Sequence, residues 1–325
     1  MADCHDLFQS YHEKIVLLPT KKDNLRSSRD KLRDKIKKYF KEELKANSPL
    51  FWGQGSYAMG TIVNPLDGEY DIDDGVYLQN LDKDNKDSWP TPETVHSWIY
   101  KAVEGHTKED PIDKRTCVRV IYSGQYHVDL PIYGEYKKVY YLAEKGEKGW
   151  HISDPRALTE WFKKQVKQSD EQLRRIVRYL KAWADYKSKI NNVKLLSGLI
   201  LTVLVAENYV KKERDDSAFG RTIRNIYQKI IDSFVVYNPI DRDEVLTERL
   251  TDPQKKKFKE LLVSLLNSAN KALDEKSKKE ACRIWRKEFG DRFPCCDDIK
   301  EEDSRLYTSS PAILRDDARS ARDTT

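Results

Sequence analysis

Hydrophobic residues recur with two different periods along this chain, and the change from one to the other divides it. Between Leu25 and Leu44 the apolar positions Leu32, Ile36, Tyr39, Phe40 and Leu44 repeat at helical spacing, which predicts an amphipathic helix ended by Asn47-Ser48-Pro49. Its other face alternates Lys and Arg with Asp and Glu and reads as a solvated surface. Leu50 to Gly53 reads as a strand, and Thr94 to Val103 as a helix with Val95, Trp98, Ile99 and Ala102 inward. Arg115–Tyr122 and Tyr126–Ile132 read as strands joined through Ser123-Gly124-Gln125, a hairpin signal. Tyr133 to Trp150 predicts a further hairpin, and Asp154-Pro155 caps a helix reaching about Lys167. From Asp170 the period becomes helical throughout, with stripes at Leu173–Ala184, Leu195–Val210, Ile223–Phe234 and Phe258–Leu273. The pattern predicts an α+β fold with two lobes: residues 1–167 as an N-terminal helix plus a sheet core, 168–292 as a helical lobe, and 293–325 as a loosely attached polar tail.

Composition narrows the class. The 325 residues are 35% charged and 38% apolar with a net charge of +5, mildly basic and compatible with a phosphate-bearing ligand. The longest apolar run, Leu195 to Ala206, is too short to span a bilayer, and no secretory signal is visible at the N-terminus, so no membrane role is expected. Five cysteines without Cys-x-x-Cys imply reduced thiols in a cytoplasmic protein rather than a disulfide framework. Cys4, His5 and His12 lack a fourth partner for zinc.

The candidate chemistry lies in Gly53–Leu78, GQGSYAMGTIVNPLDGEYDIDDGVYL. Asp71 and Asp73 are one residue apart, so on a strand both face one side while Ile72 faces the other. Two carboxylates on one face repel, and a hard cation such as Mg²⁺ is the usual remedy. Ahead of them, Gly55-Ser56 permits close backbone approach, and a short helix starting at Ser56 would aim N–H groups at a phosphate. In Tyr126–Ile132, alternation puts Tyr126, Val128 and Leu130 on one face and His127 and Asp129 on the other. If that strand pairs with Asp71–Asp73, Asp129 completes a three-carboxylate cluster suited to nucleotide transfer. Tyr57 and Arg119 are candidates for base stacking or phosphate contact; Tyr126 falls on the core side.

The runs GSYAMGT, YDIDDGVYL, HVDLPIY, RYLKAW and KLLSGLILTVLVAE, in this order, resemble the bacterial cGAS/DncV-like nucleotidyltransferases, the CD-NTases, over roughly Leu50 to Phe289. The resemblance implies a polymerase-β-like nucleotidyltransferase sheet domain packed against a C-terminal helical domain. It implies that Gly55 and Ser56 hold the donor triphosphate and that Asp71, Asp73 and Asp129 bind two Mg²⁺ ions, with Mn²⁺ as a substitute. Lys181 and Ser197 would meet the triphosphate from the helical lobe. ATP and a second NTP, expected to be GTP, would be joined with release of pyrophosphate into a purine cyclic dinucleotide of the cyclic GMP-AMP kind, which activates a separate effector in antiphage signalling. There is no inserted zinc ribbon, which speaks against activation by nucleic acid, and the tail offers an attachment point for a regulatory protein. Two other readings stay open: template-independent nucleotidyl transfer to RNA, protein or a small molecule, and a catalytically inactive nucleotide- or RNA-binding protein.

Overall fold

Residues 1–66, 69–123 and 126–299 are described in the computed structural model of the chain. They form eight strands: β1 (Leu50–Gln54), β2 (Tyr70–Tyr77), β3 (Ile112–Asp113), β4 (Val118–Tyr122), β5 (Tyr126–Leu130), β6 (Ile132–Tyr136), β7 (Val139–Glu144) and β8 (Gly149–Ile152). With them are ten α-helices. Those of the first half are α1 (His5–Ile15), α2 (Pro19–Glu42), α3 (Gly55–Ala58), α4 (Pro92–Val103) and α5 (Pro155–Ser169). The second half supplies α6 (Glu171–Asn191), α7 (Gly198–Asn208), α8 (Asp215–Asp232), α9 (Asp252–Asp274) and α10 (Lys278–Phe289).

All eight strands belong to one mixed sheet organised on β2, which pairs antiparallel with β1 and parallel with both β5 and β6. The hairpin expected between β4 and β5 is present as an antiparallel pair, with residues 124–125 of its turn outside the described residues. One face of the sheet is apolar. Ile72, Val76, Val120, Val128 and Leu130 are fully buried there against Leu25, Leu32, Ile36 and Phe40 of α2 and Val95 and Ile99 of α4. The opposite face is left to the helical lobe, so polar side chains on it have somewhere to act.

Packing changes the division expected from sequence. Leu7, Phe8, Tyr11 and Ile15 of α1, and Leu158, Phe162 and Val166 of α5, belong to the helical lobe's core with Tyr179, Trp183, Phe219 and Trp285. Residues 1–15 and α5 therefore go with the helices, because their apolar stripes meet that lobe, whereas Leu17 already packs into the sheet core. The expectation that residues 293–325 form a loose tail is corrected at its start. Phe293 is fully buried, Cys296 nearly so, and Cys282 and Cys296 form a disulfide that ties this segment to α10. The expectation of reduced cysteines throughout is overturned by the same pair, whose spacing of 14 residues carries no recognisable signature. Residues 300–325 of that tail, where a regulatory attachment was expected, lie outside the described residues.

The charged face of α2 is not wholly solvated either. Arg33 reaches the sheet and clamps Asp74 through two hydrogen bonds, at 2.7 Å from Nε and 2.5 Å from the terminal guanidinium nitrogen. Asp74 has no exposed surface. The third acid of the Asp-Ile-Asp-Asp run thus points away from the other two. No helix among the described residues is long and apolar enough to cross a membrane.

Candidate active site

The parallel register of β2 and β5 places Asp71 opposite His127 and Asp73 opposite Asp129. Residues in register on neighbouring strands share a face, so these four side chains make a two-by-two patch on the polar side of the sheet. Ile72 and Val128, the residues between them, are buried on the apolar side. Alternation read from sequence predicts this arrangement.

Within the patch the contacts are unequal. Asp71, His127 and Asp129 each present one ligand atom, and these three atoms lie within 4.8 Å of one another. Asp73 sits beside that trio and against Gly55, where a Cβ would overlap the Asp73 carboxylate. Gly55 also has φ +67°, in the left-handed region that favours glycine, so both the turn and the close approach require it. Asp129 accepts two hydrogen bonds from Arg119, its cross-strand neighbour on β4, each 2.7 Å long. Arg119 therefore spends its guanidinium on the acid cluster, where it holds Asp129.

The carboxylates titrate in opposite directions. Burial pushes Asp71 up, but the imidazole of His127, then Arg119 and Lys181, outweigh it and hold the group below its usual range. Asp73 is pushed well above it by burial, then by the charges of Asp71 and Asp129, with Arg119 and Lys181 only partly compensating. Two neighbouring acids forced apart in this way mark a site with more negative charge than its protein partners neutralise. A divalent cation would remove the conflict, and the oxygen-rich donor set is of the kind that holds Mg²⁺ or Mn²⁺.

Above the acids lies a cavity of about 610 Å³ between the lobes, lined on the sheet side by Gly55, Ser56, Asp71 and Asp73 and on the helical side by Lys181, Gly198 and Thr202. That volume is in the range of small-molecule sites. The far wall is positioned by one stripe of α6, since Arg174, Arg178, Lys181 and Asp185 are spaced four, three and four apart and share a face. Each grips the segment 59–66 that follows α3: Arg174 donates to the Met59 carbonyl at 3.0 Å, Arg178 to that of Gly60, Lys181 to the Thr61 hydroxyl at 3.0 Å, and Asp185 accepts from the Leu66 N–H at 3.0 Å. Arg292, just past α10, adds a bond to the Asn64 carbonyl at 2.7 Å. Lys181 is buried, and burial lowers its pKa to about 8, with Asp71 pulling the other way and Arg178 adding to the fall.

Other residues singled out in the sequence fall outside the cavity lining. Ser197 is exposed and caps α7, its hydroxyl accepting from the Ile200 N–H at 3.3 Å, while its neighbours Leu196 and Gly198 line the cavity. Tyr57 packs on the sheet core. Tyr126 stacks on Tyr122 and Tyr70, with ring centroids 4.9 and 5.4 Å away, and shares a hydrogen bond with Ser28 of α2, so it is core as expected. Two contributors escaped the sequence reading of the site. His127 precedes Asp129 by two residues just as Asp71 precedes Asp73, a signal that could have found it. The α6 stripe around Lys181 had helical spacing, but nothing local said what it would grip.

The sheet, its acid-bearing strands and the helical lobe define a polymerase-β-like nucleotidyltransferase domain with a C-terminal helical domain. Comparisons with known proteins agree. Residues 49–133 match the model for the nucleotidyltransferase domain of cyclic GMP-AMP synthase DncV-like proteins, and residues 170–302 match the cyclic GMP-AMP synthase C-terminal domain. The chain belongs to this DncV-like family. It is 30% identical over 223 residues to a cyclic GMP-AMP synthase of Escherichia albertii, a match covering 66% of this chain and 48% of that protein, so it spans about half of that relative's length. Its fold is similar to that of the Vibrio cholerae DncV cyclic AMP-GMP synthase, with a TM-score of 0.75 and 20% identity over 91% of this chain and 98% of the other. A second structure of that enzyme holds the linear intermediate 5′ pppA(3′,5′)pG, with a TM-score of 0.73, 20% identity, and coverage of 91% and 97%.

Proposed function

We propose that the chain is a metal-dependent nucleotidyltransferase that joins two nucleoside triphosphates, ATP and GTP, into a cyclic dinucleotide of the cyclic GMP-AMP kind with release of pyrophosphate. The observation that carries this reading is the set of three acids, Asp71, Asp73 and Asp129, on one sheet face, with Asp71 and Asp73 lining a cavity whose opposite wall holds Lys181. The names of the relatives support the product, and the linear intermediate bound by the Vibrio enzyme supports a two-step route.

In this reading Asp71, Asp73 and Asp129 hold divalent ions, Mg²⁺ or Mn²⁺. Such ions would supply charge neutralisation at the phosphates and acidify an attacking ribose hydroxyl. The protein's own part is positional. Gly55 and Ser56 admit the triphosphate close to the backbone beside the acids, Lys181 offers a cation from across the cavity, and Arg119 fixes the Asp129 carboxylate. The α6 stripe keeps the two walls in register, which is where catalysis by orientation is gained. Asp129 is the group placed to orient or take the hydroxyl proton. The linear product must then present its remaining hydroxyl to the same acids, and the space between the lobes is where it turns. The cyclic product would act on a separate effector in antiphage signalling.

Labelled NTPs offered singly and in pairs with Mg²⁺, followed by phosphatase and chromatography, test this reading. A phosphatase-resistant product requiring both ATP and GTP is expected. Products that remain phosphatase-sensitive would point to linear tailing instead.

Two further outcomes are expected from the site. Because Lys181 loses its proton near pH 8 when the cavity is empty, kcat/KM for the triphosphate should fall about tenfold per unit above that pH. Lys181→Arg, ionised throughout, should flatten this limb; a profile unchanged by the substitution would remove Lys181 from triphosphate binding. Gly55→Ala, whose methyl overlaps the Asp73 carboxylate, should lower kcat/KM by about 10²-fold, because misplacement of about 1 Å is enough for a loss of that size. Steady-state pyrophosphate release measures both.

A further inference from the structure

We propose that His127 is a direct metal ligand, making one of the divalent sites a mixed carboxylate–imidazole site of Asp71, Asp129 and His127 that favours Mn²⁺ or another transition metal over Mg²⁺. This inference rests on the nucleotidyltransferase reading above and goes beyond it, since an all-oxygen set would carry a weaker preference of this kind.

Three observations carry it. His127 is 8% exposed, its Nε2 has no accessible surface, and that atom makes no hydrogen bond. Buried polar nitrogens are nearly always hydrogen-bonded, so one whose acid neighbours all stand beyond hydrogen-bond length needs a reason. Second, Nε2 faces the acids, 3.6 Å from the Asp71 Oδ2 and 4.0 Å from the Asp129 Oδ2. An imidazolium serving only as their counter-ion would close to hydrogen-bond length, about 2.7–3.0 Å. Instead the separations match ligands around a shared centre: atoms each about 2.0–2.2 Å from one ion lie roughly 3–4.4 Å apart. Third, register fixes the arrangement. His127 pairs with Asp71 across parallel strands and lies two residues before Asp129, so the backbone of two central strands holds all three donors.

The consequence is one of selectivity. Mg²⁺ prefers oxygen donors and an octahedral water-rich shell, whereas imidazole raises affinity along the transition series.

Mn²⁺ alone, added to the full-length protein, is the probe. Pulsed electron paramagnetic resonance is expected to detect a nitrogen directly bound to Mn²⁺, converted to the ¹⁵N pattern when the protein is made with ¹⁵N-histidine. That measurement needs no variant. His127→Gln and His127→Asn should each abolish the coupling, weaken Mn²⁺ binding about tenfold, and change Mg²⁺ affinity, read by competition, less than threefold, narrowing the preference accordingly. Mn²⁺ binding that depends on Asp71 and Asp129 but has no nitrogen coupling would overturn the proposal while leaving the carboxylate site intact. Mn²⁺ binding untouched by Asp71→Asn and Asp129→Asn would overturn both this proposal and the reading beneath it.

Discussion

Asp73→Asn is expected to abolish pyrophosphate release while raising the melting temperature of the metal-free protein. The loss should reach at least about a thousandfold, some 4 kcal/mol of transition-state stabilisation, because the asparagine keeps the shape but removes the charge that holds a divalent ion against a triphosphate. The gain in stability has the opposite origin. Burial, with Asp71 and Asp129 nearby, raises the folded carboxyl of Asp73 well above its unfolded value. The folded state therefore prefers the protonated form, and ionising the group destabilises the fold progressively as pH rises from about 4 toward the folded pKa. Asparagine never ionises, so the variant should melt higher than the wild type at neutral pH and show no advantage near pH 4. Added Mn²⁺ should stabilise the wild type and the variant unequally, with the variant gaining less. An Asp73→Asn protein that turns over normally would remove this residue from the chemistry.

The second large effect lies behind the site. Arg33→Met should destabilise the protein by about 3 kcal/mol, because it leaves the fully buried Asp74 without its two hydrogen bonds and its counter-charge. Arg33 itself keeps 22% of its side chain exposed, which argues for the lower end of the range for broken buried pairs. Replacing both residues, as Arg33→Met with Asp74→Leu, should recover more than half of the loss, since no charge is then stranded. Urea unfolding of the two single variants and the double measures the coupling. A coupling below about 0.5 kcal/mol would make the pair an ordinary surface bridge.

These two acids, adjacent in sequence, illustrate how far the residues could be read in advance. Strand alternation sends Asp71 and Asp73 to one face and Ile72 and Asp74 to the other, a rule local enough to need no tertiary information. The same rule places Asp129 with His127 on the polar side of β5, and the expected pairing of β2 with β5 follows in the structure. The α2 stripe and most helices of the second half were legible for the same reason: their apolar periods are long and regular.

What escaped the sequence was long-range. Arg33 is one of many cations on α2, and only the sheet beneath distinguishes it. Arg119 reads equally well as a phosphate contact until β4 is laid beside β5 and its guanidinium meets Asp129. The grip of α6 on residues 59–66 reaches more than 100 positions along the chain, and its partners, mostly main-chain groups, have no sequence signature. The α1 helix was not anticipated; its apolar positions Leu7, Phe8, Tyr11 and Ile15 face the helical lobe, a choice that nothing local dictates. The pairing of Cys282 with Cys296 depends on the return of the chain after Phe289, beyond the reach of spacing rules.

A crystal of the wild-type protein grown with Mn²⁺ and a non-hydrolysable triphosphate, measured at the manganese absorption edge, puts the convergence of Asp71, Asp73 and Asp129 to the most direct trial. Anomalous peaks about 2.0–2.3 Å from oxygens of all three acids, bridging to the triphosphate, are the predicted result. Manganese and triphosphate bound together elsewhere, with these carboxylates still bare, would contradict it.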